Sequence, residues 1–99
     1  MLYTIIGQDA DESISARASV REAHIGRIRA LMDDGRLILA GPMPAIDAAD
    51  PGPAGFSGSL VVAEFDSLVE ARQWAESDPY LDAGAWTSVD VRPFLQVLP

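Results

Sequence analysis

The chain has 99 residues, no cysteine, 48% hydrophobic residues and a formal net charge of −8, with 15 acidic against 7 basic side chains. That length supports one small domain spanning residues 1–99, and the apolar content argues against disorder. The acidic balance makes nucleic acid a poor partner, no basic amphipathic helix points to a membrane, and the missing thiols exclude disulfides, thiolate catalysis and zinc–thiolate centres.

Leu2-Tyr3-Thr4-Ile5-Ile6 is rich in β-branched and aromatic residues and predicts a first strand, apolar on both faces and therefore central in a sheet. Met1 to Gly7 has no basic lead, and Asp9 and Asp11 follow at once, so a signal peptide is not expected and the cytoplasm is the default location. A long helix is predicted from about Ser15 to Asp34, with Gly35 as its stop. Val20, His24, Ile28 and Leu31 fall on its inward face, Arg17 lies near that stripe and Arg21 to one side. His24 is the only histidine of the chain. Its plainer reading is a buried histidine with one backbone partner; its sharper reading is a general base or acid, since an imidazole changes charge near neutral pH.

Arg36 to Met43 predicts a second strand, and Pro42 assigns it to an edge. Gly41-Pro42 reads either as strand termination or as backbone approaching a pocket rim. Pro44 to Gly58 is the longest irregular stretch, with turn chemistry at Asp50-Pro51-Gly52-Pro53 and one large apolar anchor, Phe56, which could line a pocket or a subunit contact. Ser59 to Phe65 is a third strand, free of proline and central. Asp66-Ser67 starts a second helix with Glu70 placed for a capping box, and Leu68, Ala71, Trp74 and Ala75 form its inward stripe. Asp78-Pro79 ends that helix, because proline disfavours helical geometry at the residue before it. A carboxylate at a helix C-terminus faces an unfavourable dipole and calls for a compensating partner, for which His24 is the candidate. Ala85 to Leu98 alternates with period two and predicts a fourth strand, marked as an edge by Pro93.

The order β-α-β-β-α-β with proline-free central strands and proline-bearing edges predicts an α+β, ferredoxin-like subunit with a four-stranded antiparallel sheet. Two helices cover one face of such a sheet. The apolar residues on the other face then predict a homodimer packed sheet against sheet, with ligand space near the interface or between the sheet and the first helix.

No P-loop, dinucleotide fingerprint, nucleophile elbow or zinc-protease helix is present, and one histidine cannot build a multi-histidine metal site; no cofactor and no metal are expected. Asp9, Asp11 and Glu12 lack calcium-loop spacing and read as a solvated acidic loop. Ser59 could donate to a ligand, but without a nucleophile elbow a Ser59–His24–Asp78 hydrolytic triad is not favoured. A His24–Asp78 dyad is, because a carboxylate fixes the tautomer of an imidazole and stabilises its charged form. Such a pair suits proton abstraction, isomerisation or elimination on a small molecule. Arg17 and Arg21 could steer an acidic substrate or form surface pairs.

Leu2-Tyr3, Arg21-x-x-His24-Ile25, Gly35-Arg36-Leu37, Ala40-Gly41-Pro42-Met43-Pro44, Asp50-Pro51-Gly52, Gly55-Phe56, Gly58-Ser59, Ala75-x-x-Asp78-Pro79-Tyr80, Ala83-Gly84 and Val91-x-Pro93-Phe94 follow one another in an order and spacing that resembles the YciI-like (YCII-related) family over nearly the whole chain. The resemblance implies a dimeric α+β barrel of ferredoxin-like subunits and a proposed site with a histidine and an aspartate, here His24 and Asp78. It also implies possible acid–base chemistry of the lyase, isomerase or dehydrochlorinase type, since related members include a dehydrochlorinase of chlorinated hydroxyquinols and the wider superfamily includes muconolactone isomerase. Around the dyad, Arg17, Arg21, Gly41, Pro42, Phe56, Ser59 and Tyr80 are the candidate ligand-binding residues. The alternative is a non-catalytic ligand-binding or sensor dimer.

Overall fold

The computed structural model describes all residues, 1–99. Strand β1 spans Leu2–Asp9, helix α1 Ile14–Asp33, β2 Leu37–Pro44, β3 Phe56–Glu64, α2 Leu68–Glu76, α3 Pro79–Asp82 and β4 Trp86–Phe94, with a single 3-10 turn at Gly52–Ala54. The four strands form one antiparallel sheet in the order β2-β3-β1-β4. This is the ferredoxin-like arrangement, with the proline-bearing strands at both edges. Proline has no N–H to give a ladder and is tolerated on edge strands, where Pro42 and Pro93 both stand.

The register decides which side chains meet the helices. Tyr3, Ile5 and Gly7 lie opposite Ala63, Val61 and Ser59 on one flank and Pro93, Val91 and Val89 on the other. This is the covered face, and Tyr3, Ile5, Val61, Ala63 and Val91 join Leu31, Phe65, Ala71 and Ala75 in the main core. The alternate residues, among them Ile6, Leu39 and Phe94, lie on the face that no element of the chain covers, and they are 38%, 49% and 39% exposed. The helices therefore cover only one face of each central strand, although both are apolar; on the other face Ile6 and Leu39 are open while Val62 is buried.

Several predicted boundaries move, each for an identifiable reason. Strand β3 starts at Phe56 rather than Ser59, because Phe56 and Gly58 pair with Pro44 and Met43 and carry the hairpin past residues that read as turn formers. The irregular stretch shrinks accordingly and is tied at its base by Ala45 N–H to the Gly55 carbonyl at 2.9 Å. Strand β4 stops at Phe94 rather than Leu98: Phe94 faces Leu2, the first residue of β1, and beyond it the alternating Leu95, Val97 and Leu98 have no strand to join and are more than three-quarters exposed. Ser67 caps α2 by accepting from the Glu70 N–H at 3.1 Å. Helix α3 is an element that the sequence did not announce.

A close approach fixes the seam between the sheet and the second hydrophobic cluster, Tyr80, Ala85 and Trp86. A Cβ at Gly7 would stand 2.2 Å from the Trp86 ring, so only glycine lets the indole lie flat on β1. Gly7→Ala is therefore expected to force the indole out of place and to destabilise the fold by about 2 kcal/mol or more, read as a lowered midpoint in chemical denaturation.

Candidate active site

Helix α1 has an unusual inward face. Its buried residues are Arg17, His24 and Leu31, seven apart, while Val20 and Ile28 are only half-buried. Two of those three are polar, so the helix docks through hydrogen bonds as much as through apolar packing.

His24 meets Asp78, as the sequence suggested. The imidazole Nδ1 lies 2.8 and 2.9 Å from the two carboxylate oxygens, with the side chains 6% and 0% exposed. An ionised carboxylate can only accept, so Nδ1 carries the proton and Nε2 is left with its lone pair. Nε2 has no protein hydrogen-bond partner, and it is not among the sealed, unpaired polar atoms either; it opens onto a cavity.

The setting of Asp78 differs from the expectation. It is not simply a carboxylate stranded at the C-terminus of α2; it is also the N-cap of α3, with Pro79 at the first helical position and its own Oδ1 accepting from the Tyr80 N–H at 2.9 Å. A third donor is Arg27, whose Nη1 lies 3.1 Å from Oδ2. Arg27 also donates to the Trp74 carbonyl and lies 4.4 Å above the Trp74 ring. Sequence reasoning missed Arg27, although its spacing of three from His24 puts both on one side of the helix.

Tyr80 stacks on His24 with ring centroids 3.8 Å apart and planes 9° from parallel. Trp86 stands edge-on to both rings at 5.4 Å. The imidazole is thus held by a carboxylate at one nitrogen, a parallel ring on one face and an indole across its edge.

The cavity, about 270 Å³, lies between α1 and the β2–β3 half of the sheet. Arg17, Arg21, His24, Ile25 and Ile28 line it from the helix, and Ala40, Gly41, Pro42, Ser59 and Val61 line it from the strands, with Tyr80 at one end. Of the candidate residues, Phe56 is not part of this lining. It begins β3, and its ring packs 4.8 Å from the Arg17 guanidinium, which also lies 5.1 Å from the Tyr80 ring. Arg17 lines the cavity but is already occupied: Nε and Nη2 grip Asp9 at 2.7 Å each, and Nη2 also donates to the Gly58 carbonyl at 3.1 Å and the Ser59 hydroxyl at 2.9 Å. Ser59 therefore serves as an acceptor for Arg17, and no hydrogen bond joins it to His24. Asp9, read from sequence as part of a solvated acidic loop, is instead buried beneath Arg17 and accepts from Ser13 as well. No cluster of three or more His, Asp or Glu side chains has a metal-binding arrangement, and no helix is long and apolar enough to cross a membrane.

Comparison with known proteins shows the family and the fold. The sequence profile of the YCII-related domain matches residues 1–95. Protein YciI of Escherichia coli O6:H1 is 55% identical over 97 residues, covering 98% of this chain and 99% of that protein. An uncharacterized protein of Haemophilus influenzae is 45% identical over the same span. Among solved structures, the 5-chloro-2-hydroxyhydroquinone dehydrochlorinase of Burkholderia phenoliruptrix, in complex with 2,5-dihydroxybenzoquinone, superposes with a TM-score of 0.81 over 96% of this chain and 94% of that one, at 23% identity. At that identity the likeness establishes the shared fold.

Burial pushes the Tyr80 phenol above its ordinary value of 10.0, against the opposing pull of the Arg17 and Arg21 guanidiniums. The unfolded chain then releases this proton first as pH rises, so stability from this group is complete below pH 10 and declines through the alkaline range above it. Absorbance titration at 295 nm is expected to show a late-ionising tyrosine component, and Tyr80→Phe is expected to remove that component and soften the alkaline loss of stability.

Proposed function

We propose that this chain, which belongs to the YCII-related domain family, is an enzyme that moves a proton on a small cyclic or aromatic-derived molecule, with His24 as the general base and acid and Asp78 as its orienting partner. The observation that carries this reading is the imidazole with Nδ1 fixed on a buried carboxylate and Nε2 unpaired at a cavity. Nε2 takes a proton from a C–H or O–H of the ligand, and the imidazolium so formed lies against Asp78, already 2.8 Å away. Returning that proton at a second position gives isomerisation; loss of a leaving group from the deprotonated ligand, chloride for instance, gives elimination. Every group this needs is supplied by the chain itself. The structural relative named as a dehydrochlorinase, with a quinone bound, supports the elimination variant and a single-ring ligand.

The working form that this reading assigns is a homodimer. Ile6, Leu39 and Phe94 expose apolar surface on the sheet face opposite the helices, and a second copy packed there would cover it.

In deuterated water, the protein is expected to catalyse deuterium incorporation at carbon in at least one member of a panel of cyclic diones, lactone acids and hydroxyquinols, followed by NMR. His24→Asn is expected to lower that rate by about 10²-fold or more, and Asp78→Asn to lower it while keeping the cap on α3. Exchange at the wild-type rate in the histidine variant, or no exchange in any compound, would leave a binding module as the better description. Light scattering is expected to give twice the subunit mass for the wild type and the single subunit mass for Ile6→Glu, which places a charge in the middle of the open face.

A further inference from the structure

We infer that the cavity beside His24 takes a monoanionic single-ring acid, seated with its anionic oxygens on Arg21 and its hydrocarbon body toward Ile28. This rests on the cavity being the working site proposed above, and it adds which molecules enter and which way round they lie.

The first observation is a cation left over. All seven basic residues are arginines. Arg17, Arg27, Arg36 and Arg92 each have an aspartate partner. Arg21 has none, although the chain carries 15 acidic residues to choose from. It is also the one unpaired arginine that lines this cavity.

The second is the lining itself. No aspartate or glutamate contributes to it, in a protein of net charge −8. The one unpaired charge on the lining is therefore positive, which favours entry of an anion.

The third is a gradient, and both walls agree on its direction. Along α1 the lining runs Arg17, Arg21, His24, Ile28. Along the sheet, Ser59 lies opposite Pro42 at the Arg17 end, Val61 opposite Ala40 in the middle, and Leu37 beyond them. Polar groups collect at one end and aliphatic ones at the other. At about 1.5 Å rise per residue, Arg21 stands roughly 4.5 Å to one side of His24 along the helix axis and Ile28 roughly 6 Å to the other. A molecule with an acid group on one end of a ring spans that interval, and its ring then lies beneath Nε2.

The test uses benzoate and its neutral isostere benzamide, titrated by NMR against the full-length protein. Benzoate is expected to bind about tenfold more tightly than benzamide, the order of one charge-assisted hydrogen-bonding group at a partly open rim. Arg21→Gln is expected to remove that preference and Arg21→Lys to keep part of it, while Arg72→Gln, at an exposed arginine outside the cavity, leaves it unchanged. Equal binding of the two probes, an unchanged preference in Arg21→Gln, or no binding of benzoate at millimolar concentration overturns the inference. Anion preference without deuterium exchange in any compound would defeat the catalytic reading and leave this one standing. Exchange confined to neutral compounds would do the reverse.

Discussion

The structure depends on one buried carboxylate. Asp78 is 1% exposed and would be costly to seal away from water alone, yet three donors converge on it: the His24 imidazole, the Arg27 guanidinium and the Tyr80 amide. Two of these come from α1 and the third from the residue after Pro79. Proline at the first position of α3 has no N–H, so Tyr80 offers the first amide the cap can reach. The same local constraint that gives Asp78 its cap therefore delivers the Tyr80 ring onto the face of His24. A dipeptide rule of the backbone and a contact spanning 54 residues are satisfied by the same two oxygens.

A second carboxylate repeats the device at the other end of the helix. Asp9 takes Arg17 in a two-point grip, and Arg17 in turn reaches Gly58 and Ser59 on β3. An aliphatic stripe can rotate or slide by a fraction of an ångström with little loss; two parallel N–H···O bonds cannot. Helix α1 is pinned at Arg17 and again at His24 and Arg27, and its rotation about its own axis is fixed by bonds with direction. That accounts for a long helix whose buried positions are so poor in aliphatic side chains, and it keeps the imidazole aimed at one place on the sheet.

How much of this the sequence disclosed follows from which interactions leave a periodic trace. Strands β1 and β3 were readable because runs such as Ile5-Ile6 and Leu60-Val61-Val62 have no other economical use, and the prolines at 42 and 93 sorted edge from centre. The meeting of His24 and Asp78 was readable because the chain has one histidine and because Asp-Pro forces a stop. The ferredoxin-like order followed from those elements, and the family resemblance pointed the same way. Arg27 was not readable: the inward stripe of α1 was traced through apolar positions, and nothing in a sequence says that an arginine beside that stripe will turn inward to a distant carboxylate. Helix α3 is four residues long, too short for a 3.6-residue period to show. Leu95 and Val97 extend the odd-numbered apolar series of Val89 and Val91; what ends the strand is that β1 begins at Leu2, a fact about the partner and not about the segment. Phe56 looked like a pocket residue because large apolar groups in loops need a destination, and its destination is the guanidinium of Arg17.

The cavity itself is a place where the core has been left unfilled by choice of small side chains. Where α1 crosses the sheet at Leu31, the facing positions belong to the main core with Tyr3, Ile5 and Phe65, and the interior is closed. Three turns earlier along the helix the facing positions are Ala40, Pro42 and Ser59, and the volume that aliphatic residues would occupy stays empty. One helix therefore closes the domain at Leu31 and leaves it open along the stretch from Arg17 to Ile28. The polar pins are needed at the open stretch because hydrophobic packing there is too sparse to hold the helix, so the groups that could do chemistry and the groups that fix the helix are drawn from the same few residues. Weakening the site and loosening the helix are, in this fold, the same change.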